Sequence, residues 1–127
     1  LHLSVVQLHG NEDAAYIADL RAHLPKSCQI WKAQHIENQL PELNDTNVDR
    51  YLLDNGAGGT GQAFDWQVIK DKPVDNLMLA GGLNPVNVGV AADLGCRGLD
   101  FNSGVETAPG IKDITKINAV FSTLRNY

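Results

Sequence analysis

The sequence predicts an α/β fold of parallel strands joined by helical crossovers, and three observations carry that reading. Short β-rich apolar runs recur at residues 4–8, 29–33, 50–53, 76–80 and 98–101. Segments of helical character lie between them, so strand and helix alternate at a spacing of about 25 residues. The runs are nearly continuous in apolar character, as expected of strands buried on both faces.

The first helix is expected from Glu12 to about Leu24, with Asn11 as N-cap, acids in its first turn and Pro25 as its stop. A poorer helical pattern covers residues 37–43, and a short helix follows Phe64-Asp65-Trp66. The fourth opens on Asn84-Pro85, a cap followed by proline at the first helical position, and closes at Leu94-Gly95. The last runs from Asp113 to about Arg125, with Ile114, Ile117, Val120, Phe121 and Leu124 on one face. Two architectures fit: an open doubly wound sheet, or part of a closed barrel. Eight such units need roughly 200 residues. Five units therefore make an open sheet or an unfinished barrel, and the periodicity alone leaves both standing.

The 127 residues fit one domain, and 43% apolar content is enough for a core. The net charge is −5, with 10 Lys plus Arg and no basic run. A nucleic-acid or acidic-membrane partner calls for a basic patch, so both are excluded as expectations. Apolar stretches such as Leu77 to Ala80 are too short to span a bilayer. Cys28 and Cys96 have no metal-type spacing and read as reduced, partly buried thiols of a cytoplasmic protein. The chain opens on Leu1 and enters a strand almost at once, as a processed chain or a piece of a longer one would.

Polar residues and glycines gather where the strands end: Gln7-Leu8-His9-Gly10, Leu53-Asp54-Asn55, Ala80-Gly81-Gly82-Leu83 and Asp100-Phe101-Asn102-Ser103-Gly104. In parallel α/β folds of either kind this edge carries the active site. Each group has a plainer reading. Asp54 fits a helix or turn cap, Gly81-Gly82 a tight turn, and His9 a structural histidine. The glycine loop at residues 56–61 matches no nucleotide fingerprint. Taken together, the last two strand ends fit a phosphate cradle, in which glycines let backbone amides approach the anion. That explains how an acidic chain with few basic residues can hold an anion. The interval from Gly104 to Asp113 leaves room for one short turn before the last helix.

The order Val6-Gln7-Leu8-His9-Gly10, Leu52-Leu53-Asp54, Gly58-Gly59-Thr60-Gly61 with Phe64-Asp65-Trp66, Leu79-Ala80-Gly81-Gly82-Leu83 with Asn87-Val88, and Leu99-Asp100-Phe101-Asn102-Ser103-Gly104-Val105-Glu106 with Pro109-Gly110 and Lys112-Asp113 is specific. It resembles phosphoribosylanthranilate isomerase along practically the whole chain. The wording of Ile30-Trp31-Lys32-Ala33 and of Leu124-Arg125-Asn126-Tyr127 is similar to the C-terminal domain of the bifunctional type. In that type the isomerase is fused behind indole-3-glycerol-phosphate synthase.

The resemblance implies a partial (β/α)₈ barrel made of units four to eight, five parallel strands with helices. It implies an Amadori rearrangement of a phosphorylated sugar–anthranilate conjugate in tryptophan biosynthesis, with no metal and no organic cofactor. Asp54 takes the role of general acid, which needs a carboxyl held protonated near neutral pH. Asp100 helps orient or polarise the substrate, and His9 contacts it. The backbones of Gly81, Gly82, Ser103 and Gly104 hold the phosphate, while Thr60 and Gly61 belong to a mobile loop over the site. The family's cysteine base and its anthranilate-binding arginine fall in the first three units, which this chain lacks. Cys28 and Cys96 precede their strands and lie at the wrong edge to replace that base. Open strand edges then call for a partner: the N-terminal barrel segment, a second copy, or a fused domain. The competing expectations are a non-catalytic barrel fragment and another phosphate-binding barrel enzyme.

Overall fold

The structure, a computed structural model, describes residues 2–36, 39–54 and 66–127. Its centre is a parallel sheet of five strands: β1 (Val5–Leu8), β2 (Gln29–His35), β3 (Arg50–Asp54), β4 (Leu77–Leu79) and β5 (Gly98–Leu99). They lie side by side in the order in which they occur in the chain. A doubly wound sheet reverses its strand order at a switch point, whereas a barrel wall does not. The observed order therefore decides between the two architectures in favour of the barrel wall.

Successive strand residues point to opposite faces. One face carries Val6, Leu8, Ile30, Tyr51, Leu53, Leu77 and Leu79. These pack as a single core with Ile17 and Leu20 of α1 (Ala14–His23) and with Ala91 of α2 (Val88–Asp93). Ile30, Leu53 and Leu79 are wholly buried in it. The register pairs Gln7↔Trp31, Trp31↔Arg50, Ala33↔Leu52, His35↔Asp54 and Leu52↔Met78 define the other face, the interior side of the wall. Low on that side the Arg50 guanidinium stacks over the Trp31 ring, 5.5 Å from its centroid. Lys32 apart, the helix-facing side is apolar along the middles of the strands, and the interior side turns polar at its carboxyl-terminal edge.

Several boundaries differ from expectation for local reasons. α1 starts at Ala14 and is capped by Asp13, whose Oδ1 accepts from the Tyr16 N–H at 2.8 Å. Asn11 does not cap it, because Glu12 is drawn out of the first turn to bind Lys32 and the Gly10 N–H. The helix expected over 37–43 is absent from described residues 39–43. Pro41 has no N–H to give a helix interior, and the chain runs irregularly into β3. A 3₁₀ turn at Trp66–Ile69 stands for the short third helix.

Asn84 caps a turn just before α2 rather than α2 itself. Its Oδ1 accepts from the N–H groups of Val86 at 2.8 Å and Asn87 at 3.0 Å. Gly95, at φ 77°, ends that helix in the left-handed conformation glycine favours. α3 (Ile114–Leu124) matches expectation, with Asp113 Oδ1 accepting from Thr115 and Lys116.

Two strand changes matter for function. β2 runs two residues past Ala33, to His35. Before α3 the chain makes a short 3₁₀ turn at Ser103–Val105 and then, beyond expectation, an antiparallel ribbon, β6 (Glu106–Ala108) and β7 (Ile111–Lys112). No described helix is long and apolar enough to cross a membrane.

Candidate active site

Because the five strands are parallel, their carboxyl ends fall at one edge. β1 ends at Leu8, so His9 opens the loop that follows it, while Asp54 closes β3 and Asp100 comes directly after β5. His9, Ala33, Gln34, His35 and Asp54 line a cleft of ≈ 310 Å³. His35 stands opposite Asp54 in the β2–β3 ladder. Beyond that pair the Ile36 N–H donates to the Asp54 carbonyl at 2.7 Å, which carries the ladder up to the cleft.

Asp100 is anchored by its own N–H, which donates to the Leu79 carbonyl at 2.8 Å. Partial desolvation pushes its carboxyl above the ordinary aspartate value, and the negative charge of Asp54 pushes the same way. His9 and Lys112 pull it back. Asp54, Asp100 and His9, from three different strand ends, therefore share one local field. A carboxyl raised by burial and a nearby negative charge holds its proton more readily, which suits an acidic edge.

Lys112, on β7, ties the ribbon to the loop after Asp100. Its Nζ donates to Asn102 Oδ1 at 2.7 Å and to Glu106 Oε2 at 2.6 Å. The hydrogen bond from Lys112 is the main reason the Glu106 carboxyl sits below its ordinary value. Asn102, Ser103 and Glu106 line a second depression, of ≈ 460 Å³, together with the turn of the ribbon.

The glycine loops come together as well. Gly81 and Gly82 take φ values of 78° and 74°, a region that L side chains rarely adopt. The Gly82 carbonyl is held by the side-chain amide of Asn87 at 2.8 Å. A Cβ on Gly104 would stand 1.7 Å from the Leu83 carbonyl oxygen, so the loops after β4 and β5 touch backbone to backbone.

The structure thus brings His9, Asp54 and Asp100 to one edge and packs Gly104 against Leu83 and Asn84, which directly follow Gly81 and Gly82. Thr60 and Gly61 lie outside the described residues. Sequence reasoning missed His35, although extending the Trp31, Ala33 alternation by one step reaches it. It also missed the placement of Lys112, which depends on a ribbon that no local pattern announces. Cys28 and Cys96 are free thiols at the opposite edge, where β2 and β5 begin. The seven residues of β2 span about 23 Å, so Cys28 stands far from the cleft. Burial also pushes the Cys96 thiol up, away from the thiolate.

Comparison with known proteins agrees with this geometry. Residues 1–123 match the family model described as N-(5'-phosphoribosyl)anthranilate (PRA) isomerase. The tryptophan biosynthesis protein TrpCF of Yersinia pestis is 59% identical over 127 residues, all of this chain but 27% of that protein. The phosphoribosyl anthranilate isomerase of Thermus thermophilus superposes with a TM-score of 0.78 at 29% identity, covering 98% of this chain and 62% of the other. An isomerase solved in complex with reduced 1-(o-carboxyphenylamino)-1-deoxyribulose 5-phosphate superposes with a TM-score of 0.69 at 28% identity, covering 98% of this chain and 61% of the other. This chain therefore spans less than a third of the length of the curated relatives it matches. An uninterrupted wall of five parallel strands, polar at one edge, and a family match over 123 of 127 residues have one reading: the chain belongs to the phosphoribosylanthranilate isomerase family.

Proposed function

We propose that this chain forms the acid- and phosphate-binding part of an isomerase that converts N-(5-phosphoribosyl)anthranilate to 1-(2-carboxyphenylamino)-1-deoxyribulose 5-phosphate. The observation that carries this is the convergence of Asp54, Asp100 and His9 at the edge where the two glycine loops meet. Asp54 gives a proton to the furanose ring oxygen as the C1′–O bond breaks, and the anthranilate nitrogen lone pair closes the C1′=N⁺ bond. A base then takes the C2′ proton. The freed electron pair forms C1′=C2′ and returns the iminium electrons to nitrogen, and the enolamine tautomerises to the C2′ ketone. The nitrogen of the substrate supplies the electron sink, so the proposed sequence uses no cofactor.

Asp100 helps orient or polarise the substrate, and His9 contacts it. The amides of Gly81, Gly82, Ser103 and Gly104 receive the phosphate. The base is assigned to the part of the relatives that this chain does not cover. That part is also the partner proposed for the unpaired edge of β5. Beside that edge, Leu99, Phe101, Ile117, Val120, Phe121 and Leu124 line an apolar groove of ≈ 490 Å³. A strand with apolar side chains entering the groove would bury them and continue the ladder. A fused indole-glycerol-phosphate synthase domain, supported by the TrpCF relatives, completes the reading, and a cytoplasmic location is proposed with it.

The test is a fluorescence assay of phosphoribosylanthranilate consumption, with this chain alone and then mixed with a polypeptide carrying the first three βα units. Turnover only in the mixture is the expected result. Turnover by the chain alone would move the base among its own residues, and silence in both would leave a non-catalytic barrel fragment.

A further inference from the structure

Among the described residues, Lys32 is the buried charged side chain, at 6% exposure. It sits on β2 opposite Leu8, on the face packed against helices, where an apolar residue is the ordinary choice. A buried ammonium is strongly destabilising unless it is paired and hydrogen-bonded. Here it is paired. Lys32 Nζ donates to Glu12 Oε1 at 2.8 Å and also to the Gly10 carbonyl. The Glu12 carboxylate accepts the Gly10 N–H, at 2.9 Å for one oxygen and 3.0 Å for the other. Both polar groups of Gly10 are therefore held, the N–H by Glu12 and the carbonyl by Lys32. The peptide joining His9 to Gly10 is one of the two that this fixes. Space reinforces the lock, since a Cβ on Gly10 would lie 2.6 Å from Glu12 Oε2.

The geometry points to Lys32 as a positioning residue that, through Glu12 and Gly10, fixes the backbone from which the His9 imidazole enters the cleft. The side chains of Lys32 and His9 lie on opposite faces of the wall, so the effect passes through the turn and not through contact. The same clamp explains why α1 begins two residues late: Glu12 serves the turn and not the helix. The importance of His9 to turnover rests on the function proposed above; the clamp on the turn does not.

The experiment uses Lys32→Met, Glu12→Gln and Gly10→Ala in the complete protein, each with and without His9→Ala. Lys32→Met is expected to lower kcat/KM about tenfold when His9 is present and less than twofold when it is absent, the non-additivity of coupled residues. Gly10 amide exchange is expected to quicken and the His9 ring resonances to shift in all three variants. Equal losses with and without His9 would make Lys32 a structural residue only and overturn the proposal. If Lys32→Met does not fold, Glu12→Gln and Gly10→Ala carry the same comparison. A complete protein with no isomerase turnover would overturn the function proposed above, and the Gly10 exchange and His9 resonances would still decide the clamp. Unchanged values for both would overturn it.

Discussion

Asp54 and Asp100 reach the same edge from strands separated by β4, and the charge of Asp54 is one of two forces that raise the Asp100 carboxyl. Two acids in one field can take unequal roles only if their environments differ, and here they do. Asp54 closes a strand whose preceding residues, Leu52 and Leu53, are buried, while Asp100 opens a loop that still reaches solvent.

Asp54→Asn in the complete enzyme keeps the shape of the side chain and removes the proposed proton donor. Turnover is expected to fall about 10²- to 10⁴-fold, the range for loss of a general acid. Affinity for a product analogue, measured by calorimetry, should change little. A near-normal kcat would remove Asp54 from the mechanism.

Asp100→Asn should separate stability from activity. The folded-state carboxyl is raised, so the native chain binds that proton more tightly than the unfolded chain. Its stability contribution is present below the unfolded value of about 3.9 and is lost as pH rises through the raised folded value. At pH 7 the neutral amide is therefore expected to raise Tm slightly while turnover falls. The gain should shrink as the pH is lowered through that window, read from thermal melts at stepped pH.

Glu106 behaves in the opposite sense. Its folded carboxyl is lowered, chiefly by the hydrogen bond from Lys112, so its contribution is present above the unfolded glutamate value and lost as pH falls through the lowered one. Melting temperatures between about pH 5 and 3, a range that starts just above the unfolded glutamate value and runs below it, should fall more steeply for the native protein than for Glu106→Gln. Parallel curves would show that the ribbon pair adds nothing measurable, as many exposed pairs do.

Leu53→Ala removes a wholly buried side chain from the centre of the helix-facing core. Urea titration of the complete protein should show a loss of about 2–5 kcal/mol. Val86→Ala, at a position 93% exposed, is expected to stay within about 0.5 kcal/mol.

The sequence by itself determined the alternation of strand and helix, and the edge at which His9, Asp54 and Asp100 gather. These are local properties: apolar runs of strand length, caps such as Asp113, and a polar residue at the end of a run each leave a mark within a few positions. Only the tertiary structure decided what depends on residues distant in the chain. Strand order chose a barrel wall over an open sheet, because parallel pairing is set by which edges meet and not by the pattern of any one strand. The pairing of β2 with β3 set His35 opposite Asp54, and the ribbon at Glu106–Lys112 brought a lysine toward Asp100. Lys32 is the sharpest case. A lysine in an apolar run reads as a blemish until the fold places Glu12 and the Gly10 carbonyl around it, 20 or more residues away in sequence. A buried charge is stable only with its partners, and it is the fold that supplies them.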